Sequence, residues 1–454
     1  MARKKFFILG TLFLIVCLSV GCSRSFEVIR DIRELPQDHR FYLLQGAVVD
    51  LAPLSKQGEW KKEYDRNYFA PWHQEQAPYG KAETQGFFER YVTKIDTKGR
   101  KKGGRSVVKR LVANAQLNGY PNAAVQAITV CRTDMRGLPA NRVLPLKKTR
   151  KGKRDDGFDR LQVSSIPVNT PVFIAHYSKD RKWCLIDAGF AFGWVMRRDL
   201  ATVDAGFVKE WENGTYVSLI KDGVPVSVHK KRYFKASIGS MFPKAGESDH
   251  SLDILVAVTG KNGQAVIRTA HIQKTQAVCR PYAMTSLHMA ELANELIDNP
   301  YGWGGKDGKR DCSSMIRDLF EPFGLWLPRH SADQANESGY LIDLSGKTRE
   351  EKQAAIVAQG VPYLTLLWLK GHIMLYVGTL DGVPLVFHNF WSIRMTDAEG
   401  RKTKKIIGRT TITTLHPGRE FQPPGSVRGD FLEAVQGMTL LIQPSTAAAI
   451  RPGC

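Results

Sequence analysis

NPYGWGGKDGKRDCSSMIRDLFEPFGLWLPRHSADQ, residues 299–334, runs from an aromatic, glycine-rich approach through Cys312 into an apolar-periodic segment and leaves by Leu-Pro-Arg. Met315, Ile316, Leu319, Phe320 and Phe323 recur at helical spacing, which predicts a helix with one buried face and Cys312 in or near its first turn. Unpaired backbone N–H groups and the helix dipole favour a thiolate there, so a lowered thiol pKa is expected. A thiolate on a rigid helix suits nucleophilic catalysis. Position alone fits a buried structural cysteine as well, the commoner fate of a lone Cys.

A thiol nucleophile needs a base within reach and a third group to orient it. Downstream, Gly371 to Gly378 (GHIMLYVG) reads as a strand with His372. After the turn signal Asp381-Gly382, Val383 to Phe390 (VPLVFHNF) reads as a second strand with His388. A two-residue Asp-Gly loop would put His388 opposite Leu375, on the other face from His372. A three-residue loop or one bulge, with His388 opposite Tyr376, would bring the two onto one face. Asn389 is the alternative third residue, which the simple turn places on the face of His372. His73, His176, His229, His271, His330 and His416 carry no such surroundings and read as structural or surface residues.

The chain has 454 residues, enough for two to four domains, and 43% hydrophobic content fits a folded protein. Sixty-five basic against 44 acidic residues give +21, which favours an anionic partner. Residues 1–22 narrow the choice. Arg3-Lys4-Lys5, the apolar run Phe6 to Val20 and Gly21-Cys22 read as a secretory signal peptide, too short for a stable membrane span. Its end resembles a bacterial lipobox with Cys22 as the lipidated residue, although Leu18 stands four places before the cysteine where three is usual. Export makes nucleic acid an unsuitable partner. Of seven cysteines, five remain after this segment, with no CxxC pair or metal-ligand spacing. Cys131 and Cys184 are a possible pair, and Cys312 is the one expected to stay free.

Residues 23–120 read as a mixed, partly helical region. It holds an aromatic Pro-broken segment at Tyr68 to Trp72, a basic glycine-rich loop at Lys98 to Arg105, and a helical face at Val107, Val108, Leu111, Val112 and Ala115. Residues 121–205 change to short strands, Ala127–Val130, Val172–Ala175, Trp183–Ile186 and Gly193–Val195, the grammar of a small barrel. With DRLQ at 159–162, TPVFIAHYSKDRKW at 170–183 and GWV at 193–195, this part resembles a bacterial SH3-like domain. Residues 206–279 resemble a second, with a hairpin expected across Asp222-Gly223. Pro281 to Asp298 forms a helical lead-in, its apolar side Met289, Ala290, Ala293, Leu296 and Ile297.

PYGWGG, DCS ahead of a helix, LPRHSADQ, GHIMLYVG and FHN, in that order, resemble the NlpC/P60 family of papain-like cysteine peptidases. The fold class expected is α+β: a papain-like catalytic domain at 280–420, preceded by two small SH3-like β-barrels and the mixed N-terminal region, and followed by an extension at 421–454. The resemblance implies Cys312 as nucleophile, His372 as base and later acid, and His388 as orienting residue, with no metal or cofactor. It also implies cleavage of peptidoglycan stem peptides at the bond from the γ-carboxyl of D-Glu to a diamino acid. In members with SH3-like modules the substrate often has a free N-terminal L-Ala, and Tyr301, Asp311, Ser313 and Ser331 then shape the pocket. Asp311 suits an ammonium, and equally a helix N-cap. Ser314 stands where the family usually has Gly. The SH3-borne acid that would help hold the amine is not placed by sequence; Asp134 and Asp187 are candidates. The expected setting is a lipid-anchored monomer facing the periplasm, the outer membrane slightly favoured. A hydrolase of intact cross-linked wall and a non-catalytic wall-binding lipoprotein are the alternatives.

Overall fold

The computed structural model describes residues 28–43, 48–96, 102–141, 158–228, 231–397 and 399–443. Cys22 and the rest of the leader lie outside them. So does most of the basic run before Arg105, but its last residues are not loop: they open the helix Lys102–Ala115. Val108 and Ala115 are buried on that helix, and such packing overrides the weak helical preference of two glycines.

The N-terminal region clamps the other units together. Helix Leu54–Phe69 and the short turn Ala70–Trp72 put Tyr64, Tyr68, Phe69 and Trp72 in one buried cluster with Phe207, Trp211 and Tyr216. Trp72 donates its indole N–H to the Ala127 carbonyl at 2.7 Å, and Gln57 donates to the Tyr282 carbonyl at 2.8 Å. Asp31 accepts from the Thr414 amide and hydroxyl, which fixes the start of the described chain against the C-terminal sheet.

The first SH3-like module is a seven-stranded antiparallel sheet around Trp194, Leu185, Ile186 and Phe173. The expected strands are present, and Thr133–Arg136 and Gln162–Ile166 join them. Cys131 and Cys184 are both free, so they form no bridge. In the second module the hairpin expected across Asp222-Gly223 does not form. Tyr216–Leu219 pairs with Met241–Glu247 and Ala277–Cys279, and Val224–Val228 pairs with Lys231–Ala236. The turn residue has other work: Asp222 accepts from the Ile238 amide and from Arg310 of the C-terminal unit.

The C-terminal unit packs a six-stranded antiparallel sheet against helices Ser286–Leu296 and Cys312–Phe320. Met315, Ile316, Leu319, Phe320 and Phe323 are fully buried against Leu366, Leu375 and Phe387, each burial of this kind contributing about 1.5–3 kcal/mol. Strand His372–Leu380 is nearly all apolar because both faces are covered: Ile373, Leu375 and Val377 on that core, Met374 and Tyr376 on a second. The unit does not end at residue 420. Val435–Leu440 lies between Tyr340–Asp343 and Thr365–Leu369 in the sheet, so the segment expected as an extension supplies an interior strand.

Candidate active site

Asp311 opens helix Cys312–Phe320 as its N-cap. Its carboxylate accepts from the Ser314 amide at 2.9 Å, and the Asp311 amide donates to the Ser314 hydroxyl at 2.9 Å, a complete capping box. The serine in place of the usual glycine therefore secures the helix start. The other carboxylate oxygen accepts from Gly304 at 3.0 Å and from Arg329 at 2.8 Å. Gly304 has φ +62°, and a Cβ there would lie 2.7 Å from Gln162, so the glycine of the approach allows contact with the first SH3-like module.

Arg329, from the Leu-Pro-Arg exit, is the hub of this wall. It is 3% exposed in its side chain and donates to Asp311, to Ser313 Oγ at 2.8 Å and to Ser164 Oγ of the SH3-like module at 2.9 Å. Gln334 donates to the Ser313 carbonyl at 2.9 Å. Neither carries a role expected from sequence, although both stand in the segment LPRHSADQ.

The histidines reach one face by a bulge. Leu380 pairs with Val383 across Asp381-Gly382, the simple two-residue turn; the register then slips between Tyr376 and Gly378. The extra residue, Val377, is in the first strand, so His388 falls opposite Met374 and not Tyr376. Nε2 of His372 lies 2.9 Å from Nδ1 of His388, and Nε2 of His388 lies 3.0 Å from Thr413 Oγ1. The Thr413 hydroxyl donates to the Thr414 carbonyl at 2.7 Å, so toward His388 it accepts. His388 thus carries its proton on Nε2, His372 donates from Nε2, and Nδ1 of His372 is the basic nitrogen. Asn389 is elsewhere, donating to the Asn299 carbonyl. Phe390 stacks on the His388 ring at 4.2 Å and Phe431 meets it edge-on.

Cys312 and His372 line one cavity, of about 420 Å³, and no hydrogen bond joins them in this state. Burial and the neighbouring Asp311 carboxylate push the thiol up to about 12, opposite to the lowering expected from the helix N-terminus. Burial also takes His372 down to about 4. Both shifts favour the neutral thiol and the neutral imidazole. Burial works to raise Asp311, but Arg329 and the Ser314 hydrogen bonds outweigh it and hold the carboxyl below its ordinary range.

A second cavity, of about 460 Å³, shares Tyr301, Cys312 and Gly371 with the first. Asp311, Ser313 and Ser331 line it beside Tyr301, together with His330, which the sequence had marked as unremarkable. Its outer wall is the first SH3-like module: Asp159, Arg160, Gln162 and Val163, with Tyr91 from the N-terminal region. Neither Asp134 nor Asp187 is there. Asp134 pairs with Lys306 and Arg132, and Asp187 accepts from Gln74. The SH3-borne carboxylate on the wall is Asp159, 2.7 Å from Arg136. Among the described residues no group of His, Cys, Asp and Glu is placed to hold a metal.

Sequence profiles of four kinds match in order along the chain. They are the NlpC/P60 stabilising N-terminal domain at 6–120, an SH3 domain of SH3b1 type at 146–196, an SH3 domain of SH3b2 type at 204–248, and the NlpC/P60 family at 298–397. Among solved structures, an NlpC/P60 endopeptidase from Photobacterium damselae subsp. piscicida superposes with a TM-score of 0.78 at 23% identity, over 91% of this chain and 98% of that one. An NlpC/P60 family protein from Bacillus cereus ATCC 10987 matches at 16% identity over 70% of this chain and 100% of that one, with a TM-score of 0.45. No curated protein matches. The first of these likenesses carries the fold across nearly the whole length, and the profiles carry the family. The chain carries an NlpC/P60 family domain at 298–397, set behind two SH3 domains and the NlpC/P60 stabilising N-terminal domain.

Proposed function

We propose that this protein is a cysteine endopeptidase that cuts peptidoglycan stem peptides between the γ-carboxyl of D-Glu and a diamino acid. The observation that carries the reading is the hydrogen-bonded chain His372–His388–Thr413 beside Cys312 at a capped helix start. Nδ1 of His372 takes the thiol proton as Sγ attacks the carbonyl carbon, and backbone N–H groups at the helix start stabilise the oxyanion. The C–N bond breaks, the proton passes from His372 to the leaving amine, and water, activated by the same histidine, hydrolyses the thioester. His372 lines only the 420 Å³ cavity, so the leaving amine occupies that side and the acyl portion the other.

The acyl side is walled by the first SH3-like module, which favours a peptide with a free N-terminal L-Ala over one carrying a glycan strand. Tyr301, Asp311, Ser313 and Ser331 contact that end. Asp311 is shared with Arg329, so the amine is held by several polar groups rather than by one carboxylate. The protein works as a monomer, lipidated at Cys22 and facing the periplasm, where its positive charge suits anionic murein fragments and membrane surfaces.

The test is hydrolysis of L-Ala-γ-D-Glu-diaminopimelate, free and N-blocked by a muramyl group. Cleavage of the free peptide alone, lost in Cys312→Ala, is expected. Equal cleavage of both would assign the protein to intact wall instead.

A further inference from the structure

A third cavity, of about 250 Å³, lies where the two SH3-like modules meet the C-terminal unit, and neither Cys312 nor either histidine of the pair lines it. Six cations do, Arg132, Lys235, Lys309, Arg310, Arg317 and Arg329, against one carboxylate, Asp318. That carboxylate is already engaged, accepting from Arg310 Nε at 2.8 Å. Arg310 also has Asp222, and Arg329 has Asp311, Ser313 and Ser164. Arg317 differs. Its side chain is only 13% exposed, yet it makes no hydrogen bond among the described residues. It lies 3.6 Å from Asp318 and 3.8 Å over the Phe190 ring, and its Nε is buried without a partner. Buried polar groups are nearly always paired, so this guanidinium calls for an acceptor that the chain does not supply.

The hydroxyls around the cavity have the same need. Ser165 Oγ accepts from Arg132, Ser237 Oγ from the Gly223 amide and Ser240 Oγ from the Ser237 amide. None of the three donates its own hydrogen to an acceptor among the described residues. Lys235 and Lys309 are exposed and enter no ion pair or side-chain hydrogen bond among them. The lining thus offers donors from three walls and no carboxylate that is not already engaged.

We propose that this cavity binds a phosphoryl group, as the free ion or as a monoester. Its strong acceptor oxygens point to several sides, which matches donors arriving from three walls, whereas a carboxylate presents two oxygens in one plane. Arg317 supplies the guanidinium, Lys235 and Lys309 add charge, and Ser165, Ser237 and Ser240 donate their hydroxyls. Ser165 belongs to the first SH3-like module, Lys235 and Ser237 to the second, and Arg317 to helix Cys312–Phe320. An occupied site therefore ties the three units together.

The experiment is calorimetric titration of the whole protein with inorganic phosphate, glycerol 3-phosphate and acetate, each at the same ionic strength in sodium chloride. Saturable binding of one phosphate per chain is expected, with acetate far weaker. Arg317→Gln weakens it by about tenfold or more, the scale of one hydrogen bond to a charged group. Lys235→Gln combined with Lys309→Gln, both at exposed positions, also weakens it and serves if the arginine variant fails to fold. Lys261→Gln combined with Lys402→Gln, exposed and outside the cavity, removes the same charge and keeps the affinity. Binding of glycerol 3-phosphate as tight as that of phosphate supports the site with a monoester as its source, and binding of phosphate alone supports it with the free ion. No saturable binding of either, acetate bound as tightly, or equal affinities in the two double-lysine variants overturns the proposal. No peptide hydrolysis enters the assay, so its failure leaves the endopeptidase reading untouched.

Discussion

Thr413→Val removes one hydroxyl and almost no volume, and it tests whether the histidine pair depends on a fixed proton arrangement. In the native chain the hydroxyl donates to the Thr414 carbonyl and accepts from His388 Nε2 at 3.0 Å. Valine leaves that N–H buried without a partner, since His388 is 0% exposed. An unsatisfied buried donor costs about 1–3 kcal/mol. His388 escapes the cost by moving its proton to Nδ1, where it meets the N–H of His372 across 2.9 Å. His372 must then shift its own proton to Nδ1, and the base that serves Cys312 is lost. If that penalty falls wholly on the productive tautomer, kcat/KM drops by about 5-fold to 150-fold, with KM little changed. Thr413→Ser, which keeps the hydroxyl, recovers most of the rate. The assay is steady-state hydrolysis of the free tripeptide, with imidazole 15N shifts reporting the tautomers. A Thr413→Val enzyme within twofold of wild type, or unchanged 15N shifts, would refute the reasoning.

Other outcomes follow from the same structure. Because burial depresses His372 to about 4, the acid limb of kcat/KM is expected near that pH and not near 6.5; a limb at the ordinary histidine value would contradict the buried, neutral base. Arg329→Met strands the buried Asp311 carboxylate and is expected to cost about 3–5 kcal/mol in chemical denaturation, with Asp311→Asn recovering part of it in the double variant. Glu321 is raised to about 7 by burial, Arg280 notwithstanding. A folded-state pKa above the unfolded one contributes stability that is complete below about 4.5 and is lost as pH rises through 7. Glu321→Gln should therefore flatten the fall in Tm over that window, and an unchanged slope counts against the assignment.

What could be read from sequence depended on the range of the interaction. The helix after Cys312 and the two histidine strands were legible because their apolar spacing is local and both are bounded by turn residues. The bulge at Val377 was foreseen only as a requirement, since its place depends on packing of both strand faces. Asp222-Gly223 carried a sound turn signal, yet its strands found partners elsewhere because Asp222 binds Arg310, 88 residues away. Val435–Leu440 looked like an appendix, and its partners are nearly 70 to 100 residues upstream. The thiol pKa went the other way for the same reason. A helix N-terminus is visible in sequence, whereas the depth of burial around Cys312 is a property of the whole assembly.

The most direct measurement is acid-quenched mass spectrometry of the enzyme during turnover of L-Ala-γ-D-Glu-diaminopimelate. A transient L-Ala-γ-D-Glu adduct is expected on the peptide containing Cys312, absent from Cys312→Ala, which does not turn over. Turnover that persists in Cys312→Ala, or an adduct on another residue, would contradict it.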